Sequence, residues 1–440
     1  MRLKTLLTVG LVLVFFLGEI TMSFSFKSEN DRNNAAPGII PLSYKISNQS
    51  TNFPEAHIVD SLVDEFMHRY DIEGASVAIT KYDRLVYAKG FGYSDLTDSL
   101  HVTPRSLFRI ASVSKLITAV AIMKLVENEK LGLDDKVFGP DGILNDSIYQ
   151  NYTDNRYEQI TVRELLEHTA GWNGKKSDPV FNSLYVAQVM DVPPPASMPV
   201  IIEYALSHKL DFTPGKRYSY SNLGYCVLGQ IIEKVTGMKY EDYIQFSILH
   251  PLGIYDMHIG KSFEDQSYPY EVHYYDMSKS YKMWAFDGSD ELVPAEYGGN
   301  NMQLLGAAGG WIASAPELAK LLVAIDGYNS RADILSHRTI ETMVRPKGRN
   351  EHQIGWRGAD GRGTWWRTGT LSGTSALVMR QGNETTWIML LNTTPRRRKR
   401  IHNIMARTMF QAIHSVDDWP SYDLFVTEPE NKTFGDLAAN

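Results

Sequence analysis

Ser112-Val113-Ser114-Lys115-Leu116-Ile117-Thr118-Ala119-Val120-Ala121-Ile122-Met123-Lys124-Leu125-Val126 is the stretch on which the fold turns. Leu116, Ala119, Val120, Met123 and Val126 make one stripe at helical spacing, and Ile117, Ala121, Ile122 and Leu125 carry apolar surface most of the way round. A helix apolar on nearly all sides belongs in the middle of a protein, so Ser112 to Lys130 is expected to be a buried helix. Gly132 is placed to end it in a left-handed cap.

Towards the N-terminus, Val59, Leu62, Val63 and Phe66 fall on one face of a helix over Ala56 to Tyr70. Ala75 to Ile79 and Leu85 to Ala88 read as two strands joined at Tyr82-Asp83. Towards the C-terminus, Thr161-Val162-Arg163-Glu164 fits a capping box opening a short helix. Leu223 to Val235 is helical in spacing, with Gly237 after it. Ser314-Ala315-Pro316-Glu317 reads as a second capping box, before a helix over Leu318 to Ile325. Thr364 to Arg367, Ser375 to Arg380 and Thr386 to Asn392 read as strands, followed by a helix over Ile401 to Ile413. Strands near both ends with helices between them imply an α+β fold, one sheet built from distant segments with a helical region inserted.

Composition agrees with a folded body: 440 residues, 43% hydrophobic and 22% charged. The net charge of -7 gives no field for holding nucleic acid, so no nucleic-acid partner is expected. The dense basic run Arg396 to Arg400 reads as a solvated helix start. Cys226 is the only cysteine, so the chain has no internal disulfide, and its apolar helical setting reads as core. Arg2 and Lys4 precede an apolar run from Leu6 to Gly18. That run is shorter than the about 20 residues of a membrane span and suits an export signal, so residues 1–23 are expected to be a signal peptide, with an uncleaved membrane anchor as the alternative. A secreted or periplasmic place follows. Residues 24–54, rich in Ser, Asn and Lys, read as a linker; residues 55–415 read as the catalytic domain and 416–440 as a tail without pattern.

Three short motifs carry the chemistry. Ser112-x-x-Lys115 sets a hydroxyl and an amine on one helix face, near the positive end of the helix dipole. Alone the pattern is weak, since about one or two such matches arise by chance in a chain this long. Tyr220-Ser221-Asn222 adds a phenol that can lose its proton beside a cation, and an amide that can hold both the lysine and a substrate carbonyl. Arg367-Thr368-Gly369-Thr370 lies on an expected strand. There Arg367 can grip a carboxylate, Gly369 lets a substrate backbone approach, and the Thr370 N–H can pair with that of Ser112 as an oxyanion hole.

These three motifs, in this order, resemble the serine β-lactamase, DD-peptidase and esterase superfamily, in its class C-like branch. Leu166-Glu167-His168-Thr169-Ala170-Gly171, the stretch Pro214 to Tyr225, Pro251-Leu252-Gly253 and Gly306-Ala307-Ala308-Gly309-Gly310 are similar to that family's landmarks. The resemblance covers roughly Val59 to Ile413. It implies a β-lactamase/transpeptidase-like fold: a mixed, mainly antiparallel sheet flanked by helices, with a mostly helical second lobe. It implies a serine hydrolase with Ser112 as nucleophile and Lys115 and Tyr220 as its activating partners. It also implies acyl transfer from small amides, esters or D-amino-acid peptides, without metal or organic cofactor. Asn222, Arg367, Thr368, Gly369 and Thr370 fall at the family's substrate-binding positions. One position departs: where the family has Lys or His, this chain has Arg367, which stays protonated. This leaves a non-catalytic or slowly acylated binding or sensing domain as the alternative function. The twelve histidines include no H-E-x-x-H or other recognisable metal-ligand spacing.

Overall fold

The computed structural model describes residues 40–276, 282–345, 352–395 and 400–426. The chain enters its sheet through β1 (Gly74–Lys81) and β2 (Arg84–Asp95), then a short β3 (Leu100–His101). It leaves and returns far downstream as β4 (Gly358–Ala359), β5 (Trp365–Leu371), β6 (Thr374–Gln381) and β7 (Thr385–Leu391). The order across the sheet is β4-β5-β6-β7-β1-β2-β3, with antiparallel pairing throughout. Register is set where the chain's distant parts meet: Ala75 faces Leu391 and Lys81 faces Thr385. Tyr82 and Asp83, at φ of 51° and 58°, make the two-residue turn between β1 and β2, the hand that matches strand twist.

Both faces of the sheet are covered, which is why β1, β6 and β7 are buried almost without interruption. Val77, Ile79, Val86, Leu377 and Met389 face α1 (Ala56–Tyr70) and the last helix, Ile401–His414, with Met405 and Met409 fully buried between. Ala78, Leu85, Val378 and Ile388 share the other core with α2 (Ser114–Glu127) and the helical lobe. Within that lobe lie α3 (Val162–Leu166) and α4 (Asn222–Thr236); α5 (Ala315–Val323) packs on the sheet against β1 and β7, and the last helix is α6. Eleven of the fourteen residues of α2 are buried, as its all-round apolar pattern demands.

Several expectations need correcting. Gly132 does not end α2; the left-handed residue is Glu129 (φ 55°), and the Gly132 N–H is held by the Asp135 carboxylate at 2.6 Å. The capping box at Thr161 is complete, but the one at Ser314 is half a box. Ser314 caps the Glu317 N–H, while the buried Glu317 carboxylate accepts from the Asp256 N–H at 3.1 Å instead of turning back. The linker reading fails over its described part, residues 40–54. Leu42 and Ile46 are buried, and Thr51 Oγ1 both donates to Ala88 O (3.0 Å) and accepts from Ala88 N (2.9 Å). Asn48 Oδ1 accepts from Gly90 N at 2.8 Å. Side chains here satisfy the β2 backbone as a neighbouring strand would. The tail reading fails likewise over its described part, residues 416–426, while 427–440 lie outside the described residues: Leu424 and Phe425 are buried, and Asp423 accepts from the Leu85 N–H at 3.0 Å. Residues 1–39 and Arg396 to Lys399 lie outside the described residues. No helix among the described residues is long and apolar enough to cross a membrane.

At the turn end of the sheet the fold buries like charges. Asp83 and Asp326 are each 1% exposed, and neither Asp83 oxygen has a hydrogen-bond donor among the described residues. Burial, then the Asp83 side chain and its charge, push the Asp326 carboxyl far above the usual carboxylate range. Beside Asp83 the protonated form of Asp326 is therefore favoured.

Candidate active site

Ser112 sits at the junction of the two lobes, in a 3-10 turn (Ala111–Val113) that runs straight into α2. Ala111 has φ of 47°, a left-handed conformation costing a non-glycine residue about 1–3 kcal/mol. The kink is held from both sides: the Ile110 N–H bonds to Trp311 O, and the Ile110 carbonyl presses on Gly369 of β5. A Cβ on Gly369 would stand 2.2 Å from that oxygen. Gly369 thus has a role the sequence did not show: the protein's own chain, in the step before Ser112, needs the absence of a side chain there.

One helical turn on, Lys115 is fully buried, and its Nζ is 3.4 Å from Ser112 Oγ. It donates to Asn222 Oδ1 at 2.7 Å and to Ala308 O at 2.5 Å. Asn222 opens α4, capped by Ser221. Ala308 belongs to a π-helical turn (Gly306–Gly310) whose small residues let its backbone approach α2. Tyr220 Oη is 2.8 Å from Ser112 Oγ. Burial alone would raise the phenol's pKa; the charges of Lys115 and Arg367, with hydrogen bonds from Lys115 and Ser112, outweigh it and bring the phenol down to about 8. Burial first, with the Arg367 charge against it, lowers Lys115, while Tyr220 works the other way.

Arg367 departs from the clamp expected of it. It is 1% exposed, and its Nε donates to Ser112 O at 2.8 Å while Nη2 donates to Tyr220 Oη at 3.2 Å. The guanidinium is thus a wall behind the serine and the phenol. Thr368 and Thr370 lie on the opposite face of β5, by strand alternation. Thr370 Oγ1 reaches His402 on α6 at 3.4 Å, while its backbone runs along the part of β5 that β4 leaves unpaired.

Three contributors were not legible in the sequence as parts of a site. His168, inside a stretch quoted only as a landmark, stacks on Tyr220 (centroids 4.5 Å) and accepts the Ser221 N–H on Nδ1 at 3.2 Å. Burial and then the Arg367 and Lys115 charges keep its imidazole neutral. Arg357 is exposed, 5.8 Å from the Tyr220 ring, and donates to Tyr218 Oη at 2.8 Å. Asp178 accepts from Asn222 Nδ2 at 2.7 Å. Each comes from a loop or turn lacking a pattern of its own.

Comparison with known proteins supplies the identity. The profile of the Beta-lactamase family matches residues 59–408. The chain belongs to the beta-lactamase family. Family relatives include Protein flp of Staphylococcus aureus (strain MRSA252), 32% identical over 196 residues, which are 44% of this chain and 36% of that one. A penicillin-binding protein of Bacillus subtilis (strain 168) is 31% identical over 249 residues, 54% of this chain and 49% of its own. The chain thus spans half or less of the length of these curated relatives. Among solved structures, the octameric penicillin-binding protein homologue from Pyrococcus abyssi matches with a TM-score of 0.59 and 27% identity, over 80% of this chain and 78% of that one. The D-amino acid amidase from Ochrobactrum anthropi SV3 shares the fold at a TM-score of 0.61 and 20% identity, over 82% of this chain and 99% of its own. The β-lactamase-like fold and a serine-hydrolase-like architecture are therefore shown.

Proposed function

We propose that this chain is a serine hydrolase that acylates Ser112 from small amides, esters or D-amino-acid peptides. The observation that carries the reading is the phenol of Tyr220, 2.8 Å from Ser112 Oγ and drawn to about 8 between two buried cations. A base poised near the working pH is what proton abstraction from a hydroxyl requires. Tyr220 takes the Ser112 proton as Oγ attacks a carbonyl; Lys115 and Arg367 hold the charge that develops on the phenol. The phenol then returns its proton to the leaving group, and the reverse sequence with water releases the acid. Lys115 and Asn222 spend most of their hydrogen bonds on the site itself, leaving one Asn222 amide hydrogen for a substrate carbonyl. The exposed Arg357 is placed to meet a substrate carboxylate, the task the buried Arg367 is not free to perform. Two neighbours in fold, a D-amino acid amidase and EstCE1, a hydrolase with promiscuous acyltransferase activity, support this class. We also propose export through residues 1–23, with membrane anchoring as the alternative.

Intact-mass measurement after exposure to a penicillin and to an activated ester, on the chain and on Ser112→Ala, tests the reading. Adducts or turnover in the parent alone are expected. An inert parent would instead favour a non-catalytic binding or sensing domain.

A further inference from the structure

Asp178 lies 42 residues before Tyr220, in a loop that opens a 3-10 turn over Pro179–Phe181, and its own backbone is extended. Its two carboxylate oxygens are each committed: Oδ2 accepts from Asn222 Nδ2 at 2.7 Å and Oδ1 from the Val180 N–H at 3.3 Å. Both partners are N–H donors and neither is an acceptor, the surroundings of an ionised carboxylate rather than an acid. On the far side of the same amide, Asn222 Oδ1 accepts from Lys115 Nζ at 2.7 Å. An asparagine amide has one donating and one accepting end of nearly equal size, so packing alone does not decide which end faces the lysine. The Lys115 ammonium, which can only donate, favours the oxygen from one side, and the carboxylate, which can only accept, holds the NH2 from the other.

We propose that Asp178 is a positioning residue for acylation: it pins the Asn222 amide so that the oxygen, never the NH2, faces Lys115. The inference rests on the hydrolase reading for its consequence, but not for its geometry. With Asn222 pinned, the Lys115 ammonium has an acceptor for each hydrogen: Asn222 Oδ1, Ala308 O and, at longer range, Ser112 Oγ. The ammonium is then oriented towards the serine, and its charge is available to the Tyr220 phenol. Were the amide to turn over, an NH2 would face the ammonium, and the lysine would lose both an acceptor and the reason to stay charged. Burial raises the Asp178 carboxyl above its usual range, with the Asn222 bond and the Lys115 charge acting against this. The acidic and basic groups that bear on Lys115 are Tyr220 and Cys226 on the α4 segment, Arg367 on β5, and Asp178 itself. His168 faces the same cluster as a neutral ring. Among these, Asp178 is the one placed to act through the Asn222 amide rather than on Ser112 or Tyr220 directly.

The experiment compares the chain with Asp178→Asn and Asp178→Glu. Asparagine fills the same space but can donate as well as accept, so it releases the amide. Lysine 13Cε labelling, with Lys115 assigned through Lys115→Arg, reads the charge state directly by NMR titration. Asp178→Asn is expected to lower the Lys115 titration midpoint by at least one pH unit. It is also expected to slow acylation by an activated ester about tenfold or more, with thermal melting unchanged and Asp178→Glu recovering part of the rate. An unshifted Lys115 midpoint in a folded Asp178→Asn would overturn the proposal, whatever the parent's activity. A shifted midpoint in a parent that never acylates would keep the positioning role and remove the hydrolase reading. Unfolding of Asp178→Asn in the melt would also overturn it, by showing that the residue serves stability first.

Discussion

Two separate clusters of buried ionisable groups lie in this fold, and they are built on contrary rules. At the lobe junction, Lys115, Arg367 and Asp178 surround Tyr220 and Asn222 with charges of both signs. Almost every polar atom there has a partner between 2.5 and 3.4 Å away. At the β1–β2 turn, Asp83 and Asp326 bring like charges together, with Asp333 near them. The cation beside them, Arg380, spends its Nε on the Asp326 backbone carbonyl at 2.9 Å, and several of the carboxylate oxygens have no donor among the described residues. Both clusters have displaced pKa values. In the first, cations pull a phenol down beside a serine hydroxyl; in the second, burial and neighbouring acids push carboxyls up with no hydroxyl of that kind in reach. A displaced pKa marks chemistry when it comes with a hydroxyl in reach and complementary charge, and marks stored instability when it does not.

The sharpest way to break this contrast is to remove a charge from the first cluster. Arg367→Ala deletes a cation that lowers the Tyr220 phenol, so the phenol's pKa must rise above about 8. The fraction of phenolate at pH 7 falls, and acylation at that pH should drop about 100-fold, or about 2.7 kcal/mol, with partial recovery as pH is raised towards 10. Because the guanidinium is buried, neutral esters and carboxylate-bearing substrates should lose equally; a selective loss of the latter would restore Arg367 as a substrate clamp. Stopped-flow acylation over a pH series measures both.

Removing a charge from the second cluster should do the reverse. The Asp326 carboxyl is raised in the fold from 3.8, so its protonated form stabilises the native state most fully below that value. As pH climbs, the unfolded chain releases the proton freely and the folded one does not, so stability falls. Asp326→Asn keeps a donor for Asp83 and an acceptor for the Tyr328 N–H while removing the ionisation. It should stabilise the chain by about 1–3 kcal/mol at pH 8, with the gain shrinking at pH 5, by denaturant titration at both. A gain independent of pH would show that ionisation of Asp326 does not limit stability.

Thr51→Ala sets the scale for a neutral buried pair. It deletes both bonds to Ala88 on β2 and should cost about 1–2 kcal/mol, with no dependence on pH between 5 and 8 and no change in acylation rate. A pH-dependent loss would mean that the contrast drawn above is not specific to charge.

Much of this was legible from periodicity. The α1 boundaries, the β1–β2 turn and the Thr161 capping box rest on local rules that tertiary contacts had no reason to override. The motifs around Ser112, Tyr220 and Arg367 were legible because each couples a reactive side chain to a recognisable element. What escaped were residues whose meaning lies in a partner far along the chain. Asp178 looks like any loop aspartate until Asn222 stands 2.7 Å away. Thr51 and Asn48 look like solvated linker until the β2 backbone needs them. Arg367 was read as a clamp on a substrate carboxylate because a guanidinium can grip one with two hydrogen bonds. Here alternation along β5 turns it inward, onto the Ser112 carbonyl and the Tyr220 phenol.

The pairing of β1 with β7 has a consequence in time. Ala75 meets Leu391, so the central pair of the sheet cannot form until more than three hundred further residues have been made. Such distant pairing is slow and leaves early strands waiting. Ser112 and Lys115 are made early, but Arg367 and the Gly369 that seats their turn come late. A nascent chain that stops before β5 therefore carries a serine without its setting. On the hydrolase reading, reactivity at Ser112 would be a certificate that the whole sheet has closed, issued by the topology itself.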